Sequence, residues 1–179
     1  LLKKFGFTYK EIINDGYKIH KKVRMFHQNI DDTLYGNTLA FSNCAKGIAK
    51  VIEEIKPDLA IVTVDRVETL AIASACALMN VPIAHIQGGE VSGNIDDRVR
   101  HAITKLADFH FVSTHKSKLR VIKMGECESS VFNYGCPAMD PPMNSNISCF
   151  WKNTTNQLCF VVCKPGYTFN ESAGALVGN

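Results

Sequence analysis

The chain has 179 residues, 46% of them hydrophobic and 21% charged, which predicts one folded domain with at most a short appendage and excludes a disordered chain or a collagen-like repeat. No apolar run reaches the roughly 18 residues of a membrane span, so neither a transmembrane helix nor a membrane partner is expected. The net charge of +3 is weak and dispersed, which argues against nucleic acid as a partner.

The opening Leu1-Leu2-Lys3-Lys4-Phe5 lacks an initiator Met and an apolar signal core. It reads as a start inside a longer, cytoplasmic protein. The seven cysteines form no CxxC pair and no Cys/His cluster with zinc-finger spacing, so no metal site is expected. Cys44, Cys76, Cys127 and Cys136 read as reduced thiols. Cys149, Cys159 and Cys163 crowd into the end of the chain.

At the front, residues 17–20 read as a strand and residues 7–14 as a connecting turn, with a first strand expected upstream. Phe41, Ala45, Ile48, Ile52 and Ile55 recur at steps of four and three over residues 39–56, which predicts an amphipathic helix. Asp31 and Asp32 are candidate caps for a start near Thr33, and Pro57-Asp58 ends the helix. Residues 59–64 are short, apolar and rich in β-branched side chains, like a strand buried on both faces.

A second helix follows Asp65, with Val67, Leu70, Ala71, Ser74 and Leu78 on one side. Residues 81–86 are the next strand, with Pro82 tolerable near its start. Beyond the loop 87–94, a helix carries Ile95, Val99, Ala102, Ile103 and Leu106 in register. Then come a strand at 109–112, a helix at 114–124 and a strand at 131–134. This alternation predicts an α/β fold: a Rossmann-like parallel sheet with right-handed crossovers and helices on both faces.

After Asp140 the pattern stops at Pro141-Pro142. Residues 141–179 form an unassigned Cys/Asn-rich tail with sequons at Asn146, Asn153 and Asn170. Sequons hint at a secreted context. An extracellular Cys-rich module built on this tail is the reading they would support.

In open α/β sheets, ligands bind beyond the carboxyl ends of the strands. Three segments put polar groups there: Asp65-Arg66, the loop from Gln87 to Asn94, and Ser113-Thr114-His115. Gly88, Gly89 and Gly93 let the middle loop turn tightly and approach a ligand. Asp96 and Asp97 open the next helix, with Arg100 and His101 one turn on. There is no Walker lysine and no GxGxxG. Each residue also has a purely structural reading: Asp65, Asp96 and Asp97 as helix caps, the glycines as turn formers, His101 as a hydrogen-bonded surface histidine. Spacing alone supports an α/β domain with a polar cleft.

The run from His85 to Leu106, HIQGGEVSGNIDDRVRHAITKL, closely resembles the signature of hydrolysing UDP-N-acetylglucosamine 2-epimerases of sialic and nonulosonic acid synthesis, roughly HI(E/H/Q)GGEVSGxIDDSIRHAITKL. KPDLAIVTVDR resembles the family's KPDxxxVxGDR, and GCPAMD its GCPSxD. The resemblance covers residues 5–140. It implies that residues 1–140 are most of the first of two Rossmann-like domains of a glycosyltransferase-B-like fold.

The resemblance further implies the reaction UDP-GlcNAc plus water to ManNAc plus UDP, through 2-acetamidoglucal, with no cofactor. The family's acidic catalytic positions fall at Asp65, Gln87 and Asp96. Arg66, Gly88, Gly89, Glu90, Arg100 and His101 fall at substrate-binding positions. Partners implied are UDP-GlcNAc or a related UDP-sugar, and further copies of the chain in a homo-oligomer.

Gln87 departs from the Glu of several family members and can only hydrogen-bond, not take a proton. Val64 replaces the Gly before Asp-Arg. With half the cleft absent, little turnover is expected of the chain alone. Two other readings stand beside this one. One is a non-catalytic sugar-nucleotide-binding remnant. The other is an epimerase for a diacetamido-trideoxy UDP-sugar.

Overall fold

In the computed structural model, residues 9–26, 33–63, 65–136, 161–163, 167–170 and 175–178 are described. Asp31, Asp32, Val64, Pro141, Pro142, Asn146, Cys149, Asn153 and Cys159 lie outside them.

The periodic segments fold as their patterns require. Helix α1 spans Tyr9–Asn14 and α2 spans Leu34–Ile55. Thr33 is the α2 N-cap, its hydroxyl accepting from the Gly36 amide at 3.0 Å, which satisfies one of the orphan donors of the first turn. Lys56 closes the helix in a left-handed conformation (φ 49°), and Pro57 follows. Strand β1 (Leu59–Thr63), α3 (Val67–Leu78), β2 (Ile83–Ile86), α4 (Ile95–Leu106), β3 (Phe109–Val112), α5 (His115–Lys123) and β4 (Val131–Asn133) complete the alternation.

The sheet order is β4-β3-β2-β1-β5, with β1 to β4 all parallel. Strand β5 (Val161–Cys163), from the segment expected to show no βα pattern, pairs antiparallel with the other edge of β1. Strands β6 (Tyr167–Asn170) and β7 (Ala175–Gly178) form a separate antiparallel pair.

Consecutive parallel neighbours joined by right-handed crossovers must carry their helices on one face. Burial agrees. Ala60, Val62 and Ile83 share one buried cluster with α2, α3 and α4, and Val112 and Val131 pack on Val121 of α5. The expectation of helices on both faces is therefore met on one face among the described residues. The opposite face carries Ile61, Phe111 and Phe132, which are half-buried, and Phe109, which is exposed. The rings of Phe111 and Phe132 stack there, centroids 5.2 Å apart, with Tyr134 stacked 5.9 Å beyond Phe132.

The front of the chain differs from expectation. Residues 17–20 form no strand, and residues 9–14 are helical rather than a turn. The segment that follows α1 is held by α2 instead of by a sheet. Asn43 donates to the Met25 carbonyl at 3.2 Å, and the Val23 side chain lies directly over Gly47, where a Cβ would clash.

Helix faces shift too. In α2 the buried ridge is Ala40, Cys44, Ile48 and Ile52, flanked by the expected Phe41, Ala45 and Ile55. In α3, Leu78 is exposed, while Thr69, Ala71, Ile72, Ala73, Ala75 and Cys76 are buried. That helix is wedged between α2 and α4, so small residues rather than one apolar stripe decide its packing. In α4, Ile95 and Leu106 are exposed and Arg100 and Thr104 take buried positions beside Ile103.

Candidate active site

The carboxyl ends of β1, β2 and β3 and the start of α4 meet at one end of the sheet, and the polar residues gather there. Arg100 is the junction. Its side chain is only 7% exposed. One terminal nitrogen donates to the Asp97 carboxylate and to the Glu90 carbonyl, each at 2.7 Å. The other is ion-paired with Asp65 at the end of β1. A buried guanidinium is tolerable only with such partners. Arg66 turns away: it is exposed and binds Glu68 at 3.1 Å.

Gln87 follows β2 with φ at +65°, a left-handed conformation unfavourable for a residue with a Cβ. Two contacts hold it: its amide donates to the Phe111 carbonyl at 2.8 Å, and its side-chain NH2 donates to Cys136 Sγ at 3.0 Å. Strain of this kind concentrates at functional positions. Cys136, after β4, is thereby brought beside β2.

Gly88 and Gly89 are buried, not laid open. A Cβ on Gly88 would stand 3.0 Å from His85 Nδ1 and 3.1 Å from Thr104 Oγ1. A Cβ on Gly89 would stand 2.6 Å from the Ser117 carbonyl oxygen, and its φ is +77°. Arg120 of α5 donates to the Gly89 carbonyl. These two glycines let the loop pass beneath α4 and α5.

Asn94 is the N-cap of α4, its side chain accepting from the Asp96 amide at 2.9 Å. Asp96 and Asp97 then behave differently. The Asp96 carboxylate accepts from Asn94 Nδ2 at 2.9 Å. The Asp97 carboxylate reaches back to the loop, accepting from the Ser92 amide at 2.7 Å, the Ser92 hydroxyl at 2.9 Å and the Gly93 amide at 2.8 Å. The Ser92 amide, then the Gly93 amide and Arg100, hold the Asp97 carboxyl well below the usual carboxylate range, against the opposing effect of desolvation. His101 is half-buried, and its Nδ1 has no hydrogen-bond partner among the described residues. The buried hydroxyls of Thr63 and Ser113, at the ends of β1 and β3, share that condition. Unsatisfied buried polar atoms call for a ligand or water.

Of the residues singled out in the sequence, the structure joins Asp65, Glu90 and Arg100 directly. It places Gln87, Gly88, Gly89, Asp96 and His101 on the adjoining loop and helix, and sends Arg66 to Glu68. Cys136 is the addition. Asp97, which the sequence offers as a carboxylate of the polar cleft or a helix cap, holds the Ser92-Gly93 turn and Arg100.

Fold and site together define an α/β domain of the kind that binds ligands at the carboxyl edge of a parallel sheet. Residues 3–159 match the family model described as UDP-N-acetylglucosamine 2-epimerase. The chain belongs to that family.

A GDP/UDP-N,N'-diacetylbacillosamine 2-epimerase (hydrolyzing) of Campylobacter jejuni is 41% identical over 145 residues, 79% of this chain and 36% of that protein. The Legionella pneumophila UDP-N,N'-diacetylbacillosamine 2-epimerase (hydrolyzing) is 45% identical over 102 residues, 57% of this chain and 27% of that protein. A UDP-N-acetylglucosamine 2-epimerase of Neisseria meningitidis is 33% identical, over 82% of this chain and 38% of that protein. Among solved structures, the Neisseria meningitidis UDP-GlcNAc 2-epimerase bound to UDP-GlcNAc superposes on 73% of this chain and 36% of its own, with a TM-score of 0.64 at 20% identity. That likeness shows the fold. This chain therefore spans 27–38% of the length of these relatives. No helix among the described residues is long and apolar enough to cross a membrane.

Proposed function

We propose that this chain supplies the first-domain half of the active site of a hydrolysing UDP-sugar 2-epimerase. The supporting observation is the Arg100 ion pair with Asp65, which ties the end of β1 to the start of α4, where Asp96 sits. In the proposed reaction on UDP-GlcNAc, a base removes the C2 proton and the C1–O bond breaks. UDP leaves with that electron pair, giving 2-acetamidoglucal. Water then adds at C1 while C2 is reprotonated on the opposite face, giving ManNAc.

A weakly acidic C–H needs a positioned base and the return needs a positioned acid. Asp65 and Asp96 are the carboxylates proposed for these steps. Gln87 hydrogen-bonds the sugar and takes no proton. Gly88 and Gly89, buried beneath α4 and α5, set the path of the loop, Glu90 and His101 shape the sugar side, and Arg66 is a contact for the diphosphate if it leaves Glu68. Arg100 orients Asp65.

The proposed substrate class is a UDP-linked 2-acetamido sugar, with a diacetamido-trideoxy sugar as the second reading. The higher identity to the two diacetylbacillosamine epimerases favours that second reading. No cofactor enters the proposed reaction. Family members of this kind are proposed to act as homo-oligomers in the cytoplasm, and the catalytic residues are proposed to lie within residues 1–140, with β5 of the following segment only extending the sheet edge at β1.

Saturation-transfer NMR with UDP-GlcNAc and UDP-N,N'-diacetylbacillosamine, alongside a UDP-release assay, tests the reading. The expected result is millimolar binding of at least one sugar, with at most trace UDP release by the chain alone. No transfer to either sugar refutes the reading. Efficient release abolished by Asp65→Asn refutes the expectation of low turnover.

A further inference from the structure

We propose that Asp97 is the positioning residue of this site: it clamps the Ser92-Gly93 turn to Arg100 and, through Arg100, fixes Asp65. The inference rests on the epimerase reading for its purpose, but not for its geometry. The Asp97 carboxylate accepts from four donors, the Ser92 amide, the Ser92 hydroxyl, the Gly93 amide and Arg100, at 2.7–2.9 Å. Three of these fall on Oδ1 and one on Oδ2, so both oxygens are engaged in holding the turn and Arg100, and Oδ1 has no acceptor site left for a substrate. Its neighbour Asp96 accepts from Asn94 Nδ2 and keeps acceptor capacity. Adjacent aspartates on one helical turn thus divide the work: Asp97 faces inward to hold, and Asp96 is left to react.

The second half of the clamp is Arg100. Its planar fork spans two carboxylates that lie on different elements, 35 residues apart for the Asp65 pair, and also takes the Glu90 carbonyl. A lysine, a point charge on a flexible stem, cannot make that span. The line from the Ser92-Gly93 turn through Asp97 and Arg100 to Asp65 fixes the loop and the β1 carboxylate as one unit before any sugar arrives. Pre-set geometry of this kind is what orients reacting groups.

The test is made on the ligand-free chain, so its failure is distinct from failure of the epimerase reading. In Asp97→Asn, amide hydrogen exchange at Ser92 and Gly93 is expected to rise at least about tenfold. The two terminal-nitrogen resonances of Arg100, distinct in the wild type because the fork cannot rotate, are expected to merge. Asp96→Asn is expected to leave both readouts at wild-type values. Faster exchange with Arg100 still arrested makes Asp97 a mere loop cap and overturns the proposal. Unchanged exchange overturns it as well. Should Asp97→Asn not fold, Arg100→Lys reads the clamp from the other side: Ser92 and Gly93 must exchange faster, and unchanged exchange overturns the proposal.

Discussion

Gly89→Ala isolates what the loop beneath α5 demands of its backbone. Gly89 and Gly93 have nearly the same backbone angle, φ +77° and +82°, but opposite surroundings. At Gly93 a Cβ meets nothing within 4 Å, while at Gly89 it meets the Ser117 carbonyl oxygen at 2.6 Å and Val121 Cγ2 at 2.7 Å. Neither neighbour can yield. Ser117 O is the backbone of α5, and Val121 is fully buried between Val112 and Val131.

Placing alanine in the left-handed region costs about 1–2 kcal/mol. The reduced freedom of the unfolded chain returns about 0.4–1 kcal/mol. Gly93→Ala should therefore destabilise by roughly 0–1.6 kcal/mol. Gly89→Ala adds overpacking of about 1–3 kcal/mol, for a total of roughly 1–4.6 kcal/mol. At about 2–4 °C per kcal/mol for a chain of this size, its Tm should fall by roughly 2–18 °C. Urea unfolding of the wild type and both variants measures the difference. If Gly89→Ala lies within about 0.5 kcal/mol of Gly93→Ala, the close approach of the loop to α5 is not what the structure shows.

Gln87→Glu should raise UDP release at least about tenfold over the wild-type chain if a carboxylate at that position assists the chemistry. It should also cost about 1 kcal/mol, because the Gln87 NH2 that donates to Cys136 is lost; unchanged release in the coupled assay removes Gln87 from the chemistry. His110 is fully buried, its Nε2 3.3 Å from Glu126 Oε2, and desolvation lowers its pKa despite the raising effect of Glu126. The unfolded chain therefore binds the proton first, so stability should fall as pH drops below about 6.5, with a slope of at most about 1.4 kcal/mol per pH unit from this group. His110→Phe should flatten that slope in urea titrations run from about one pH unit above to one below that value, and equal slopes refute it. Burial pushes the Cys44 thiol up to about 11 and the Cys76 thiol up to about 12, whereas hydrogen bonds from Ser129 lower that of exposed Cys127. Iodoacetamide mapping near neutral pH should modify Cys127 well before either buried thiol; early loss of Cys44 or Cys76 contradicts their packing.

The amino-acid sequence by itself determined the α/β class and the family. Local periodicity chooses between a 3.6-residue and a two-residue repeat without reference to distant residues, and the run from His85 to Leu106 is distinctive as a string. It also put Asp65, Gln87 and Asp96 at strand and helix ends, because strand ends are local features. What it left open depended on contacts between elements. Leu78 has the right spacing for a core stripe yet lies outside, because α3 meets α2 and α4 through its small residues. The turn of Gln87 onto Cys136 and the strand β5 on the edge of β1 are pairings between distant segments, which no local pattern encodes.

The same holds for Arg100, which in one dimension is a cation beside His101 on a helix. Only folding brings the end of β1 against that helix, buries the guanidinium and makes it answer to Asp65 and Asp97 at once. A buried charge needs partners, and tertiary structure alone decided which partners it found.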